Sequence, residues 1–198
     1  MIERQNDMIL KDIAKELVWT GRKMLMIIKG YGFKSIGRHS YVKKPIRIFN
    51  GHNVTIGNYV NVLDGLRLET IEKWNDQVFN PNVVIGDRVS FGQCVHLVCA
   101  SKVIIHDDVA IGPFSMINDC THGYSDPTVP LSIQNLKTAP IEIGEGTIIG
   151  MSVCILPGVS IGKHCYIGAN TVVTKNLPDY TVVSAVQPRK ATIPFFDN

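Results

Sequence analysis

Residues 143–172 read IGEGTI, IGMSVC, ILPGVS, IGKHCY and IGANTV, five consecutive units of six residues. An aliphatic residue opens each unit, and the fifth place of each unit is small or β-branched. A period of six fits neither the 3.6-residue repeat of a helix nor the alternation of one strand. It fits a short strand followed by a tight turn, with both of these residues facing inward and glycine allowing positive φ at the corner. The openers are Ile143, Ile149, Ile155, Ile161 and Ile167, and Val173 continues them.

Two further runs carry the same period. One begins at Ile85 with IGDRVS, FGQCVH and LVCASK, and after a two-residue insertion it continues as IHDDVA, IGPFSM and INDCTH. A weaker run begins at Ile36 and resumes at Ile56. Three units close a triangular coil, and stacked coils pair their strands in parallel, so that each coil buries the apolar row of the next. The sequence therefore predicts an all-β fold, a parallel β-helix.

The repeat is interrupted twice and is preceded by a helical pattern. Residues 72–81 and 121–140 lack the six-residue period, and we expect loops extruded from the scaffold there, where functional sites are commonly built. We expect a short N-terminal helix from Asp7, capped by Asn6 or Asp7, with a possible extension past Gly21. We therefore divide the chain into a helical segment (1–35), a β-helix domain (36–186) and a C-terminal tail (187–198).

Composition restricts the classes of function. The net charge of +3 is too small to indicate nucleic-acid binding. No apolar stretch reaches the roughly 18 residues of a membrane span, and the first residues lack the pattern of a signal peptide, so we expect a cytoplasmic protein. The five cysteines have no zinc-like spacing, which favours free thiols and no metal site. The basic residues near the helix form either a solvated face or, less simply, a peripheral contact with anionic lipid.

His122 is the residue in which chemistry is expected. It ends the unit INDCTH, where the coil stops and the longer loop begins, and imidazole has a suitable pKa for a general base. Asp119, three residues earlier, could orient that imidazole, as in base-plus-orienter pairs. Cys120 raises the alternative of a covalent acyl-enzyme, which requires a thiol of lowered pKa. The other histidines are interpreted as structural.

A resemblance becomes specific between Ile117 and Lys190. The motifs DCTHG (119–123), SDPTVP (125–130), APIEIG (139–144), ILPGVSIG (155–162), IGANTVVTK (167–175) and QPRK (187–190) resemble the hexapeptide-repeat acyltransferases, in their maltose/galactoside acetyltransferase branch. Among these, the chain is most similar to polysaccharide O-acetyltransferases of the O-antigen, capsule and exopolysaccharide type. Two departures stand out, since Cys120 replaces a second histidine of the motif and Gly92 replaces an asparagine.

The resemblance implies a left-handed coil, acetyl-CoA as the acyl donor and His122 as the general base of a direct acetyl transfer to a sugar hydroxyl. It also implies a homotrimer whose active sites lie in the clefts between protomers. The positions that it assigns to the CoA groove are Ala169, Thr174 and Lys175, with Arg189 or Lys190 at the phosphates.

Two other functions remain as alternatives, and a third is excluded. The acceptor could be an amine, as in N-acetyltransferases of nucleotide-linked amino sugars. The chain could be a non-catalytic β-helix scaffold, which would not bind CoA. A γ-type carbonic anhydrase shares the predicted fold, but it needs convergent histidines and no H-x-x-x-x-H segment is present.

Overall fold

A computed structural model of the protein describes residues 2–28 and 31–184. After the N-terminal helix, successive strands rotate through three parallel sheets of six, seven and six strands. We number the coils along the chain and call the sheets the first, second and third faces, in the order in which each coil enters them. The chain thus forms a three-sided parallel β-helix, as the six-residue period predicts.

Each coil contributes one short strand to each face. The first three coils contain Ser35–Ile36, Tyr41–Val42 and Arg47–Phe49; Val54–Ile56, Asn61–Val62 and Arg67–Thr70; and Asn82–Ile85, Ser90–Phe91 and His96–Cys99. The next three contain Lys102–Ile105, Ala110–Ile111 and Met116–Asn118; Ile141–Ile143, Ile148–Ile149 and Cys154–Ile155; and Ser160–Ile161, Tyr166–Ile167 and Val172–Val173. The strand Val182–Val183 belongs to a seventh coil, on the second face. A 3₁₀ turn, Gly51–Asn53, joins the first two coils.

The interior consists of the residues that the repeat predicts. All six openers from Ile143 to Val173 are buried, and so are the five residues at the fifth places from Thr147 to Thr171. Openers stack directly on one another, since Ile105 pairs with both Ile85 and Ile143 on the first face. A fully buried aliphatic side chain stabilises a fold by about 1.5–3 kcal/mol, so these stacked columns supply the main driving force for coil formation.

The glycines that follow the openers have a different role from the predicted one. None of those at 144, 150, 162 and 168 has a positive φ, which falls instead to later corner residues such as Gly146 and His164. A Cβ on Gly144 would lie 2.5 Å from the carbonyl carbon of Gly162 in the next coil. Glycine is therefore needed at these places because neighbouring backbones approach closely, and the prediction that it supplies positive φ there was wrong.

Acidic side chains connect the corners of successive coils. The carboxylate of Asp87 accepts the backbone N–H of Asn58 at 2.7 Å, and that of Asp107 accepts the N–H of Asp87 at 2.9 Å. The hydrogen bonds from Asn58 hold the pKa of the Asp87 carboxyl below its usual value. These contacts satisfy backbone donors that the tight corners would otherwise leave unpaired.

Both interruptions of the repeat form antiparallel hairpins outside the three faces. The first hairpin pairs Lys73–Trp74 with Gln77–Val78, and the second pairs Cys120–His122 with Leu136–Thr138. The second also contains the 3₁₀ turn Leu131–Ile133. Each hairpin leaves the helix at the corner between the third and first faces, the first after the second coil and the second after the fourth.

The N-terminal helix is longer than predicted and is placed differently. It spans Ile2–Ile28, so the expected caps at Asn6 and Asp7 lie inside it. Its apolar face, which includes Ile9, Leu10, Ile13 and Leu17, is exposed. The helix instead contacts the first coil through a polar edge, because Glu16 pairs with Arg38 and His39 while the ring of Trp19 lies 5.7 Å from that of His39.

The helix therefore contacts the first coil, but not through its apolar face. The partly buried side chains of Tyr31, Phe33, Ile36 and Ile48 pack against the core at that end instead. Contact with a lipid surface stays a prediction. No helix in the described part of the chain combines the length and the apolarity needed to cross a membrane. The C-terminal tail lies outside the described residues.

Candidate active site

The two hairpins pack against each other. The indole Nε1 of Trp74 donates to the carbonyl of Gln134 at 3.0 Å. The carboxamide of Gln77 exchanges two hydrogen bonds with the backbone of Leu136, accepting its N–H at 2.6 Å and donating to its carbonyl at 3.1 Å. These contacts join residues about 60 positions apart in sequence, and they fix the second hairpin relative to the first.

Local hydrogen bonds hold the second hairpin in shape. The buried side chain of Gln134 donates to the carbonyls of Asp126 and Val129, both at 2.8 Å. The carboxylate of Asp126 accepts the backbone N–H and the hydroxyl of Thr128, which lowers the pKa of that carboxyl. A segment without repeat periodicity thus has a defined conformation, because a buried amide satisfies its backbone groups.

His122 ends the strand Cys120–His122, and its side chain is exposed. The edge of its ring meets the indole of Trp74, with the ring centres 4.9 Å apart and the planes at 66°. Both rings line a pocket of about 370 Å³, a volume at the lower end of small-molecule sites. Other walls come from the second, third and fourth coils, namely Arg67, Glu69, Val98 and Asn118.

This geometry places an aromatic ring, an exposed imidazole and a carboxylate around one small cavity. Aromatic rings provide stacking area, and charged and amide groups provide directed hydrogen bonds, which together suit a polar ring-shaped ligand such as a sugar. The imidazole provides a proton acceptor for a hydroxyl.

Comparison with known proteins agrees with the repeat. Residues 140–175 match the family described as bacterial transferase hexapeptide (six repeats). The chain is 29% identical over 153 residues to "Putative lipopolysaccharide biosynthesis O-acetyl transferase WbbJ" of Escherichia coli, covering 73% of this chain and 74% of that protein. By these comparisons the chain is similar to the hexapeptide-repeat acyltransferases.

Two further likenesses concern acceptors that carry an amine. The acyltransferase is 27% identical over 160 residues to the dTDP-4-amino-4,6-dideoxy-D-glucose acyltransferase of Escherichia coli, covering 78% of this chain and 79% of that one. Its fold matches a mutant of AntD, an N-acyltransferase from Bacillus cereus in complex with dTDP and coenzyme A, with a TM-score of 0.66 and 24% identity over 86% of this chain and 88% of that chain. At this identity the likeness to AntD establishes the fold alone.

Charge in the acyltransferase pocket is concentrated around Glu69, whose side chain is only 15% exposed. Arg67 binds it through Nε at 3.0 Å and Nη2 at 2.9 Å, and Arg47 approaches its other oxygen at 3.4 Å. The imidazole Nε2 of His96 lies 3.5 Å from the same carboxylate. Sequence analysis missed Glu69, Arg67 and Arg47, because they belong to the weakest run of the repeat.

Asp119 is fully buried, and its contacts are with another part of the acyltransferase. Its carboxylate accepts the backbone N–H groups of Ala100, Ser101 and Lys102 at 2.7–2.8 Å. This turn joins the third coil to the fourth. The structure does not bring the carboxylate to the imidazole of His122 through any contact described, so an orienting role stays a prediction.

The thiol of Cys120 is buried beside this carboxylate. Burial, and then the charge of Asp119, raise its pKa to about 12. Burial likewise raises the pKa of Cys99, whose Sγ lies 3.4 Å from Asp119 Oδ2. A nucleophilic thiol requires the opposite shift. These surroundings therefore oppose the covalent acyl-enzyme alternative.

The residues expected at the CoA groove lie on the later coils. Thr174 and Lys175 are exposed and follow the third-face strand of the sixth coil, so they share a corner with the second hairpin. Two coils separate them from His122, a distance of roughly 10 Å along the axis at ordinary strand spacing. Ala169 is exposed on the preceding corner, one coil above Gly150. Arg189 and Lys190 lie outside the described residues.

Within residues 2–28 and 31–184, no cluster of three or more histidine, cysteine, aspartate or glutamate side chains could hold a metal ion. The remaining histidines make separate contacts. For example, His106 Nε2 lies 2.7 Å from Glu142, and the ring of His164 stacks on that of Tyr180.

Proposed function

We propose that this acyltransferase transfers an acetyl group from acetyl-CoA to a hydroxyl of a sugar in a surface polysaccharide or its precursor. The observation that carries the proposal is the exposed imidazole of His122 in a pocket with Trp74 and Glu69. The likeness to WbbJ, which is named for lipopolysaccharide biosynthesis, supports the polysaccharide acceptor.

In the proposed reaction His122 takes the proton of the sugar hydroxyl as the oxygen attacks the thioester carbonyl. A backbone N–H stabilises the oxyanion that forms. The carbon–sulfur bond then breaks, and the imidazolium returns its proton to the departing CoA thiolate. Cys120 takes no part, because its buried thiol has a raised pKa.

We assign the CoA groove to Ala169, Thr174 and Lys175, with Arg189 or Lys190 as cations for the CoA phosphates. In the assembly that we propose, a homotrimer, His122 of one protomer meets CoA along an adjacent interface. The coil is left-handed in this proposal, following the resemblance, and a crystal structure would test the hand. The enzyme works in the cytoplasm, where acetyl-CoA is made.

We propose that Asp119 acts as a positioning residue. By holding the turn at 100–102 it fixes the start of the strand that ends in His122. Replacing Asp119 by Asn removes one of its two accepting oxygens. At least one of the three N–H groups then has no acceptor, which lowers the free energy of unfolding by about 1–3 kcal/mol. Urea denaturation measures this loss. If Asp119→Asn were as stable as wild type but inactive, a direct role at the imidazole would replace this one.

The central test measures thiol release from acetyl-CoA over a panel of sugars, nucleotide-linked amino sugars and glycan fragments. We expect turnover with a hydroxyl acceptor, and a fall in kcat of about 10²–10⁴-fold in His122→Ala with CoA binding retained by calorimetry. His106→Ala is the matched control, since His106 lies outside the pocket.

Three outcomes would contradict the proposal in different ways. Wild-type turnover by His122→Ala would remove the general base. Acetylation of nucleotide-linked amino sugars alone would favour the N-acyltransferase function of the relative named for such a sugar. Failure to bind CoA and to turn over any acceptor would favour a scaffold.

A further inference from the structure

The outer side of the third face changes character along the helix axis. One column of register partners runs Arg47, Arg67, His96, Met116, Cys154 and Val172, from the first coil to the sixth. Its first two members are arginines, and its last three are apolar. The second hairpin, with His122, leaves the helix after the fourth coil, near the boundary between the two groups.

The positive charges of Arg47 and Arg67 repel each other across adjacent strands. Arg47 and Arg67 are direct partners on adjacent strands, and like charges facing one another destabilise a sheet. They share the single carboxylate of Glu69, so the cluster retains at least one net positive charge. Such an arrangement is stabilised when a second anion binds.

The guanidinium groups have donors left for that anion. An arginine has five N–H donors, of which Arg67 uses Nε and Nη2 on Glu69. Both arginine side chains are about half exposed, at 53% for Arg47 and 49% for Arg67. The guanidinium of Arg47 lies 4.8 Å from the centre of the Phe49 ring, which restricts its orientation. Glu69 and Phe49 therefore preorient two forked donors.

We propose that these arginines bind a phosphoryl group on the acceptor, so that the substrate is a sugar carried on a phosphate or diphosphate. This inference rests on the proposed function and names the substrate class of the same pocket. Because Arg67 and His122 line one pocket of about 370 Å³, the phosphate belongs to the sugar that is acetylated. Glu69 is the positioning residue for the two guanidinium groups. The net positive charge also disfavours a protonated amino sugar.

A direct binding experiment tests the site without turnover. Glucose 1-phosphate is the charged probe and methyl glucoside the neutral one, each titrated by calorimetry into the full-length protein. We expect the phosphate to bind more tightly, and Arg67→Gln to weaken it about 10- to 100-fold with no change for CoA. Arg88→Gln is the matched control, because Arg88 is as exposed and pairs with Asp108 at a different corner. Arg67→Lys should restore only part of the affinity.

A second measurement addresses the carrier and guards against misfolding. Arg47→Gln, checked by thermal melting, should raise the KM for glycosyl phosphates without changing the KM for acetyl-CoA. Turnover of a nucleoside-diphosphate sugar against a lipid-diphosphate sugar in detergent identifies the source of the phosphate. Equal affinity for charged and neutral probes, or unchanged binding in Arg67→Gln, would overturn the inference while leaving acetyl transfer intact. Loss of CoA binding in wild type would instead contradict the proposed function.

Discussion

At the scale of single residues, the surroundings of His122 and Cys120 separate two mechanisms that the sequence left open. The two residues lie on one three-residue strand, and the strand exposes the imidazole while burying the thiol. The same backbone thus makes one side chain available to a substrate and protects the other. The raised pKa of Cys120 follows from burial and from the neighbouring Asp119 carboxylate.

Thiol labelling tests this difference. With a pKa of about 12, Cys120 is deprotonated at pH 8 in about one molecule in 10⁴, whereas an unperturbed thiol is deprotonated in about a quarter. In the native protein we expect the exposed Cys94 to react first with a maleimide and Cys120 to react only after unfolding. Mass spectrometry of digests locates the label.

Cys94→Ser is the control, and it should remove the fast phase of labelling. Fast native labelling at Cys120 would contradict the raised pKa and would restore the acyl-enzyme alternative.

At the scale of secondary structure, the corner glycines are required mainly because the coils stack closely, and less because of their own backbone conformation. A Cβ on Gly112 would lie 2.5 Å from the carbonyl group of Gly150 in the next coil. A Cβ added to Gly21, in the second half of the N-terminal helix, would have no other atom within 4 Å. The chain therefore offers a crowded glycine and an open one.

Gly112→Ala should lower the free energy of unfolding by about 1–3 kcal/mol, because an added methyl group forces two coils apart. Gly21→Ala should stabilise the helix by about 0.5–1 kcal/mol, since alanine loses less backbone entropy there. Thermal and urea denaturation followed by circular dichroism measures both. Equal stability of Gly112→Ala and wild type would show that the coils accommodate a Cβ.

At the scale of the whole molecule, the pocket forms because the two hairpins, which differ in length, leave the β-helix at the same corner and pack together. Its walls come from the second, third and fourth coils and from two hairpins joined by Gln77 and Trp74. The prism alone has flat sides. We proposed that a neighbouring protomer completes the site with its CoA groove, and this arrangement can be tested by mixing variants.

His122→Ala and Lys175→Glu should each be inactive alone, the second through loss of CoA binding. If sites form between protomers of a closed trimer, random mixed assembly restores about a quarter of the sites. The two variants are unfolded and refolded together, and activity is compared with that of each refolded alone. Sedimentation of the products checks the trimer.

No recovery from a mixture of confirmed trimers would place both residues of each site on one chain. A monomer would remove the proposed cleft.

The sequence by itself determined the β-helix, because the six-residue period indicates both which residues are buried and how often the chain turns. It also singled out His122, since a histidine at the point where a strict repeat stops is conspicuous. It did not reveal Glu69 or Arg67, which the stacking of coils brings into one pocket with His122. The two interruptions of the repeat differ in length, so the sequence does not show which residues of different coils lie side by side. Only the packing of the coils and hairpins determines this.

The tertiary structure also decided features for which local pattern was misleading. The repeat glycines allow close approach between coils, and each approaches a backbone at least 16 residues away in sequence. The apolar face of the N-terminal helix predicts burial, yet the end of the coil is already covered by residues 31–48 and the helix contacts it through its polar edge. Local periodicity indicates which face of a segment can be buried, whereas the tertiary structure determines which partner, if any, packs against that face.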